Sequence, residues 1–317
     1  MKSTRIVIVN FKTPGLVIDC LRSLVDEVRA VGDCQVIVVE NGSPDDSAQR
    51  LADAIRTEHW DSWAKLLVLD KNLGFAGGNN AALRPLLAEP KPADYFLLLN
   101  PDTVVRPGAV TTLIEFLEHH PRAGIAGSRL EDPDGTPQRS AFRFPTVPSE
   151  FEHGIRLGPI SRLLRSSIVA PPVTDATHRC DWLAGASMLV RKEVFDDIGL
   201  MDDDYFLYYE ETDFMLRAKR AGWSTWYVPT SRVVHLVGQA SGVTDTKKPA
   251  RRLPKYWFDS RKRYFTKNHG PVYALWADAA WLIGFTLWRV RRRLQRKPDL
   301  DPPHYLWDFV HYNFLAS

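Results

Sequence analysis

Cysteine is scarce: Cys20, Cys34 and Cys180 are the three in 317 residues, odd in number and far apart. That excludes a disulfide framework and a thiolate metal site, and predicts reduced thiols in a cytosolic setting. Net charge is only +3, too small for the broad positive field of a nucleic-acid binder. No stretch holds eighteen or more uninterrupted apolar residues, so no membrane-crossing helix is expected. Met1-Lys2-Ser3-Thr4-Arg5 runs straight into a predicted strand, so no signal peptide is expected either. Two nucleotide-binding signatures are also missing. The first strand leads into Asn10-Phe11-Lys12-Thr13-Pro14 instead of Gly-x-Gly-x-x-Gly, which argues against a dinucleotide dehydrogenase. No Gly-Lys-Ser/Thr loop appears, which excludes a P-loop.

What is present is ordinary for a globular chain: 44% hydrophobic and 25% charged residues. Ile6-Val7-Ile8-Val9-Asn10-Phe11, Gln35 to Glu40, Leu66 to Leu69 and Tyr95 to Leu99 read as buried strands. Between them, Leu16 to Val31, Ala48 to Arg56 and about Asn79 to Leu87 read as helices. This alternation predicts an α/β fold with βαβ units, a mostly parallel sheet and helices on both faces.

The strands end in polar residues on one edge: Asn10, Glu40-Asn41 and Asn100-Pro101-Asp102. Open α/β sheets bind ligands at that edge, so a nucleotide is expected there. Asp102, just past a central strand, is a natural place to hold a divalent cation against phosphate oxygens. Asn-Pro-Asp is also good turn chemistry, so a plain strand-ending turn is the alternative. Gly74, Gly77 and Gly78 permit close approach of backbone to a ligand or to a neighbouring element.

In the second half, Gly108 to His119 reads as a helix, Ala123 to Leu130 as a strand and Glu131 to Thr136 as a hairpin turn. Phe142 to Ala176 shows little periodicity and reads as a long irregular segment, either functional or a plain surface insertion. Trp182 precedes Ala184-Gly185-Ala186-Ser187, small residues that let a ligand or a chain come close, with Trp182 as a stacking face or a packed core residue. Glu210, Glu211 and Asp213 stand between Tyr205-Phe206-Tyr208-Tyr209 and a helix. Acids there serve ordinary helix capping. Desolvated among aromatics, they would also suit general-base work.

Taken together, Val38-Val39-Glu40-Asn41-Gly42-Ser43, Asn72-Leu73-Gly74-Phe75-Ala76-Gly77-Gly78-Asn79-Asn80, Leu99-Asn100-Pro101-Asp102, Trp182 to Arg191 and Phe206 to Arg217 resemble inverting GT-A glycosyltransferases. The likeness is greatest to the bacterial rhamnosyltransferase-type subgroup of family two. The resemblance implies a nucleotide-sugar donor, with dTDP-L-rhamnose favoured, and Mg²⁺ or Mn²⁺ as cofactor. It implies a glycan or lipid-linked glycan as acceptor. Donor-binding positions carried over are Asn10, Phe11, Glu40, Asn41, Asn72, Gly74, Phe75, Asn79, Asn100 and Asp102. Acceptor-binding positions are Trp182, Gly185 and Ala186. Catalytic positions are Glu211 as base, Glu210 as its close alternative, and Asp213 in support or on the acceptor. Metal ligands are Asp102 and His235. The chain departs from the family at Asn100, Glu40 and Glu211, where Asp is usual. Gln239-Ala240-Ser241-Gly242 is expected to close over the diphosphate, with Arg251 and Arg252 in reach.

The boundaries that follow are a catalytic domain over residues 1–245, with a donor half to about 105, and a helical segment over 246–317. In that segment Val272 to Val290 is mostly apolar and carries Trp276, Trp281 and Trp288, but also Asp278. It leads into Arg289, Arg291, Arg292, Arg293, Arg296 and Lys297. This pattern suits an anionic membrane surface at the inner face of the cell membrane, or a helix packed on protein or in a homodimer. Two rival readings are weaker. A nucleotidyltransferase needs a Gly-rich, basic loop after the first strand, which is absent. A non-catalytic sugar- or lipid-binding scaffold would have lost its acids.

Overall fold

Alternation along a strand sends Ile6 and Ile8 to one side and Val7 to the other, and all three are buried. Such a strand must be covered on both faces, and the computed structural model covers it so. It describes residues 2–236 and 251–315. The expected Gln239-Ala240-Ser241-Gly242 loop lies outside the described residues. The chain divides into two units. One takes residues 1–142, 172–206 and 210–244, and the other takes 143–171, 207–209 and 245–317.

In the first unit, β1 (Thr4–Asn10), α1 (Pro14–Val31), β2 (Cys34–Glu40), α2 (Ser47–Thr57), β3 (Ala64–Val68), α3 (Gly74–Leu87) and β4 (Tyr95–Leu99) follow in turn. Then come β5 (Thr103–Val105), α4 (Ala109–His119), β6 (Ala123–Glu131) and β7 (Ala141–Phe142). In the second unit, α5 (Val147–Ile155) and α6 (Gly158–Leu163) come next. The first unit resumes with β8 (His178–Cys180), β9 (Trp182–Leu183), β10 (Ser187–Arg191), α7 (Lys192–Ile198), α8 (Glu210–Arg220) and β11 (Ser224–His235). The second ends with α9 (Lys255–His269), α10 (Pro271–Leu294) and α11 (Tyr305–Val310).

The main sheet runs β3-β2-β1-β4-β10-β6-β11-β5, with β8 also on β11. Its first four strands are parallel. β10 enters antiparallel between β4 and β6, and β11 is parallel to β6. Ser187, at the start of β10, therefore pairs with Leu99, at the end of β4. β11 finishes at the same edge, where His235 pairs with Thr103. β10 thus sets Gly185-Ala186 beside the end of β4, and the β11–β5 pairing brings His235 to the same edge.

Leu21, Leu24, Leu51, Leu113 and Leu117 from α1, α2 and α4 pack with Ile6, Ile8, Val38 and Leu97. On the opposite face, Phe96 meets Phe195 of α7 edge-on at 5.6 Å, and Phe195 meets Phe214 of α8 at 5.4 Å.

α3 begins at Gly74, five residues before the expected Asn79. A side chain on Gly74 (φ 74°) would meet the Phe206 carbonyl oxygen at 2.1 Å, and one on Gly78 would meet Val9 at 2.8 Å. The glycines that weaken helix propensity there are required by close packing. β5 was not expected. Residues 143–171, expected to be irregular, instead hold α5 and α6. Thr146 caps α5 through a reciprocal bond with Ser149.

The second unit has its own core of Phe258, Trp281, Phe285, Tyr305 and Phe309. α5 and α10 approach so closely that a side chain on Gly284 would meet the Phe151 carbonyl at 2.7 Å. Arg261 is buried and binds Glu150 (2.7 Å) and Asp278. Arg252, expected near the diphosphate, instead makes a two-pronged pair with Asp308 at 2.6 and 2.8 Å. The second unit thus extends beyond the expected C-terminal segment by taking in α5 and α6.

Candidate active site

β1 and β2 end side by side, so Asn10 and Glu40 face each other across the ladder. Glu40 is buried; its carboxylate accepts from the Asn10 amide and from the Ser43 N–H (2.6 Å). Asn41 donates to Asn72 Oδ1 (3.1 Å) and to the Gly74 carbonyl (3.0 Å), and accepts from the Leu73 N–H (3.0 Å). Asn72 Oδ1 also accepts from the Gly74 N–H at 2.8 Å, and Asn79 donates to the Phe75 carbonyl at 2.9 Å. Asn41 and Asn79 are therefore engaged by the protein itself and shape the 72–79 turn. The turn is tied down again where the Phe75 N–H meets the Phe206 carbonyl at 2.9 Å. Phe11 lies beside this edge in sequence, and the Lys12 ammonium sits 5.2 Å from its ring centre.

At the neighbouring strand ends, the Asn100 N–H donates to the Ala186 carbonyl at 3.0 Å. Asp102 is buried, and its Oδ1 lies 3.5 Å from His235 Nε2. The other ring nitrogen of His235 is 3.3 Å from Gln138 Oε1. Gln138 donates its amide to Asp132 (2.7 Å) and to the His235 carbonyl (2.9 Å), which leaves Oε1 turned to the ring. That arrangement puts a proton on Nδ1, so in the neutral ring the Nε2 lone pair is the one left toward Asp102 for a cation between them.

A cation would fit this pair. Two cis ligands of one Mg²⁺ or Mn²⁺ at about 2.1 Å lie about 3 Å apart, close to the spacing seen, and carboxylate with imidazole suits either ion. Among the described residues no group of three or more His, Cys, Asp or Glu is arranged to hold a metal. Among the described residues protein ligation would thus stop at two, with diphosphate oxygens and water left to contribute to the sphere.

The acid pair opens α8. Tyr208 and Tyr209 take left-handed backbone (φ 73° and 68°) immediately before it, an uncommon strain for aromatic residues. Burial pushes the Glu210 carboxyl well above the ordinary glutamate range, and the Glu211 charge beside it pushes it further. Burial raises Glu211 too, but backbone N–H groups, its own and that of Gly185 (3.3 Å from Oε1), favour its charged form. The pair is expected to share one proton, with the charge favoured on Glu211. Glu211 is also fixed relative to the strand edge: Gly185 holds its carboxylate, and the next residue, Ala186, holds Asn100. A side chain on Gly185 would meet the Phe75 ring at 3.0 Å and Glu211 at 3.3 Å, so one or the other would have to give way by a few tenths of an ångström.

Trp182 stacks on Phe142, with centres 4.2 Å apart, and remains partly exposed. Asp213 is fully buried and pairs with Arg217 at 2.9 Å, while Arg217 also donates to the carbonyls of Ile198 and Leu200. Asp213 therefore holds the loop before α8 in place and does not present its carboxylate to an acceptor. Gln138 was not singled out in the sequence. Its contact with His235 spans 97 residues, and a polar residue after a turn carries no signal of such a role.

Comparisons with known proteins place the chain in a family. The family model for Glycosyl transferase family 2 matches residues 5–180, and that for Glycosyl transferase family group 2 matches residues 95–315. N-acetylglucosaminyl-diphospho-decaprenol L-rhamnosyltransferase of Mycobacterium tuberculosis is 27% identical over 279 residues, 84% of this chain and 82% of that protein. Among solved structures, a mannosyltransferase from Pyrobaculum calidifontis in complex with GDP-Man and Mn²⁺ aligns with TM-score 0.55 and 14% identity. It covers 100% of this chain and 88% of its own. GalNAc-T7 with UDP, GalNAc and Mn²⁺ aligns with TM-score 0.59 and 14% identity over 99% of this chain, which spans only 54% of that longer one. The two structural likenesses are of fold. The family match extends over more than half of the sequence, and on it the chain belongs to glycosyl transferase family 2 and is a glycosyltransferase of GT-A fold.

Proposed function

We propose that the enzyme is an inverting, metal-dependent transferase that moves L-rhamnose from dTDP-L-rhamnose to a polyprenyl-diphosphate-linked sugar or a growing cell-surface polysaccharide. The observation that carries the mechanism is the desolvated Glu210–Glu211 pair, tied through Gly185-Ala186 to the strand edge that bears Asp102 and His235. The likeness to the mycobacterial N-acetylglucosaminyl-diphospho-decaprenol L-rhamnosyltransferase supports transfer of L-rhamnose and a lipid-linked acceptor, and a 24% identical dTDP-rhamnosyl transferase of Shigella flexneri supports the dTDP donor.

Glu211 accepts the proton of the acceptor hydroxyl. The acceptor oxygen forms a bond to the anomeric carbon as the bond from that carbon to the diphosphate oxygen breaks, and configuration inverts. Glu210 keeps its own proton and so leaves Glu211 the charged member. Asp102 and His235 would hold the cation, with Gln138 fixing the imidazole tautomer. When bound, Mg²⁺ or Mn²⁺ offsets the charge that develops on the leaving diphosphate. Asn10, Glu40 and the turn shaped by Asn41, Asn72 and Asn79 frame the nucleotide. Gly185 and Ala186, with Trp182 nearby in sequence, line the acceptor approach. A lipid-linked acceptor puts the protein at the inner face of the cell membrane, as a peripheral protein.

Incubation with Mn²⁺, a polyprenyl-diphosphate-linked N-acetylglucosamine analogue and dTDP-L-rhamnose is expected to give a product heavier by one deoxyhexose, with release of dTDP. Transfer from a UDP- or GDP-sugar and none from dTDP-L-rhamnose overturns the donor reading.

A further inference from the structure

One face of α10 packs into the core of the second unit through Trp281 and Phe285, while the other carries an apolar stripe. Val272, Trp276, Ile283, Leu287, Val290 and Leu294 recur at helical spacing and are all exposed, Trp276 by 65% and Leu294 by 80%. The basic cluster at the end of α10 is of two kinds. Arg289 and Arg292 pair with Asp299 at 3.2 and 2.8 Å, and Arg291 donates to the carbonyls of Ile155 and Arg156. Arg293, Arg296 and Lys297 are exposed, and among the described residues no ion pair engages their side chains. No described helix is long and apolar enough to cross a membrane.

We propose that this face of α10 lies in the surface of an anionic bilayer, with the stripe set into the headgroup boundary and Arg293, Arg296 and Lys297 on acidic headgroups. The arrangement combines what an in-plane helix needs: an apolar line along one face, an exposed indole, and cations that no ion pair among the described residues compensates. A second copy of the chain would need an acidic patch facing these three cations, and the stripe itself carries no charge of either sign. The proposal deepens the lipid-linked-acceptor reading by naming the contact surface. Its test reads binding alone, so the two stand or fall separately.

The full chain is co-sedimented with vesicles of mixed phosphatidylglycerol and phosphatidylcholine, and with vesicles of phosphatidylcholine alone. Wild type is expected to partition onto the acidic vesicles and to leave them in high salt. Arg293→Gln/Arg296→Gln/Lys297→Gln is expected to bind about 100-fold more weakly, at about 1 kcal/mol per charge. Ile283→Glu/Leu287→Glu is expected to lose about tenfold or more. Both variants change exposed side chains, so thermal unfolding stays as in wild type. Three outcomes overturn the proposal: no partition of wild type, partition of either variant equal to wild type, or a stripe-dependent dimer by light scattering in place of vesicle binding.

Discussion

Glu211→Gln is expected to lower kcat by about 10²- to 10⁴-fold, the range of a positioned general base, while donor affinity stays within about twofold. The amide keeps the size of the carboxylate and can still accept from the Gly185 N–H, so the loss is of proton acceptance alone. Glu210→Gln is expected to cost less, because Glu210 is the member that keeps its proton. The pH profile carries the same logic. Glu211 works only when charged and is raised by burial, so the acid limb of kcat lies above the ordinary glutamate value of 4.5. Stability runs the opposite way. A carboxyl whose folded pKa is raised contributes its stability below its unfolded pKa, and loses it as pH rises through the folded value. Glu210→Gln and Glu211→Gln should therefore raise the melting temperature at neutral pH. A Glu211→Gln enzyme with normal turnover, or one that loses donor affinity as steeply as turnover, contradicts the base assignment.

Arg261→Met is expected to destabilise the second unit by about 3–5 kcal/mol, the range for removing one partner of a buried ion pair. Arg261 is 1% exposed, bonds Glu150 through Nε and Nη2, and reaches Asp278 through Nη1. Its guanidinium also lies 5.0 and 4.9 Å from the rings of Phe265 and Phe309. Methionine keeps part of that apolar contact but leaves two carboxyls buried without their cation. Burial already raises Asp278 with the arginine present, so the deficit should grow with pH as Asp278 ionises. Glu150→Gln/Arg261→Met/Asp278→Asn should recover most of the loss. Urea unfolding checks both variants; a loss below about 1 kcal/mol, or an equal loss in the triple variant, counts against the cluster as described.

The strand ends were legible because β-branched runs that stop at polar residues have few other readings. Asn10, Glu40, Asn100 and Asp102 could be placed on one edge from alternation alone. Alternation says nothing about a late strand entering antiparallel, yet β10 brings Gly185-Ala186 beside Asn100 and so links the acid pair to the metal position. The start of α3 was misplaced because glycine lowers helix propensity locally, while its reason for being there is contact with Phe206 and Val9, distant in sequence. β5 is three residues long, too short to show a period. α5 and α6 were hidden in a stretch rich in proline and arginine, where capping by Thr146 and packing on α10 decide the outcome. Asp213 looked like Glu210 and Glu211 in sequence; only the position of Arg217 one turn later, with its carbonyl partners in the preceding loop, separates its task from theirs.

The central claim is a division of labour, with Asp102 serving the donor through a cation and Glu211 serving the acceptor. It is tested most directly by calorimetric titration of dTDP-L-rhamnose, with and without Mn²⁺, into wild type, Asp102→Asn and Glu211→Gln. The expected result is Mn²⁺-dependent binding by wild type and Glu211→Gln, with Asp102→Asn about tenfold weaker or more and indifferent to the metal. Equal binding by all three without Mn²⁺ would contradict it.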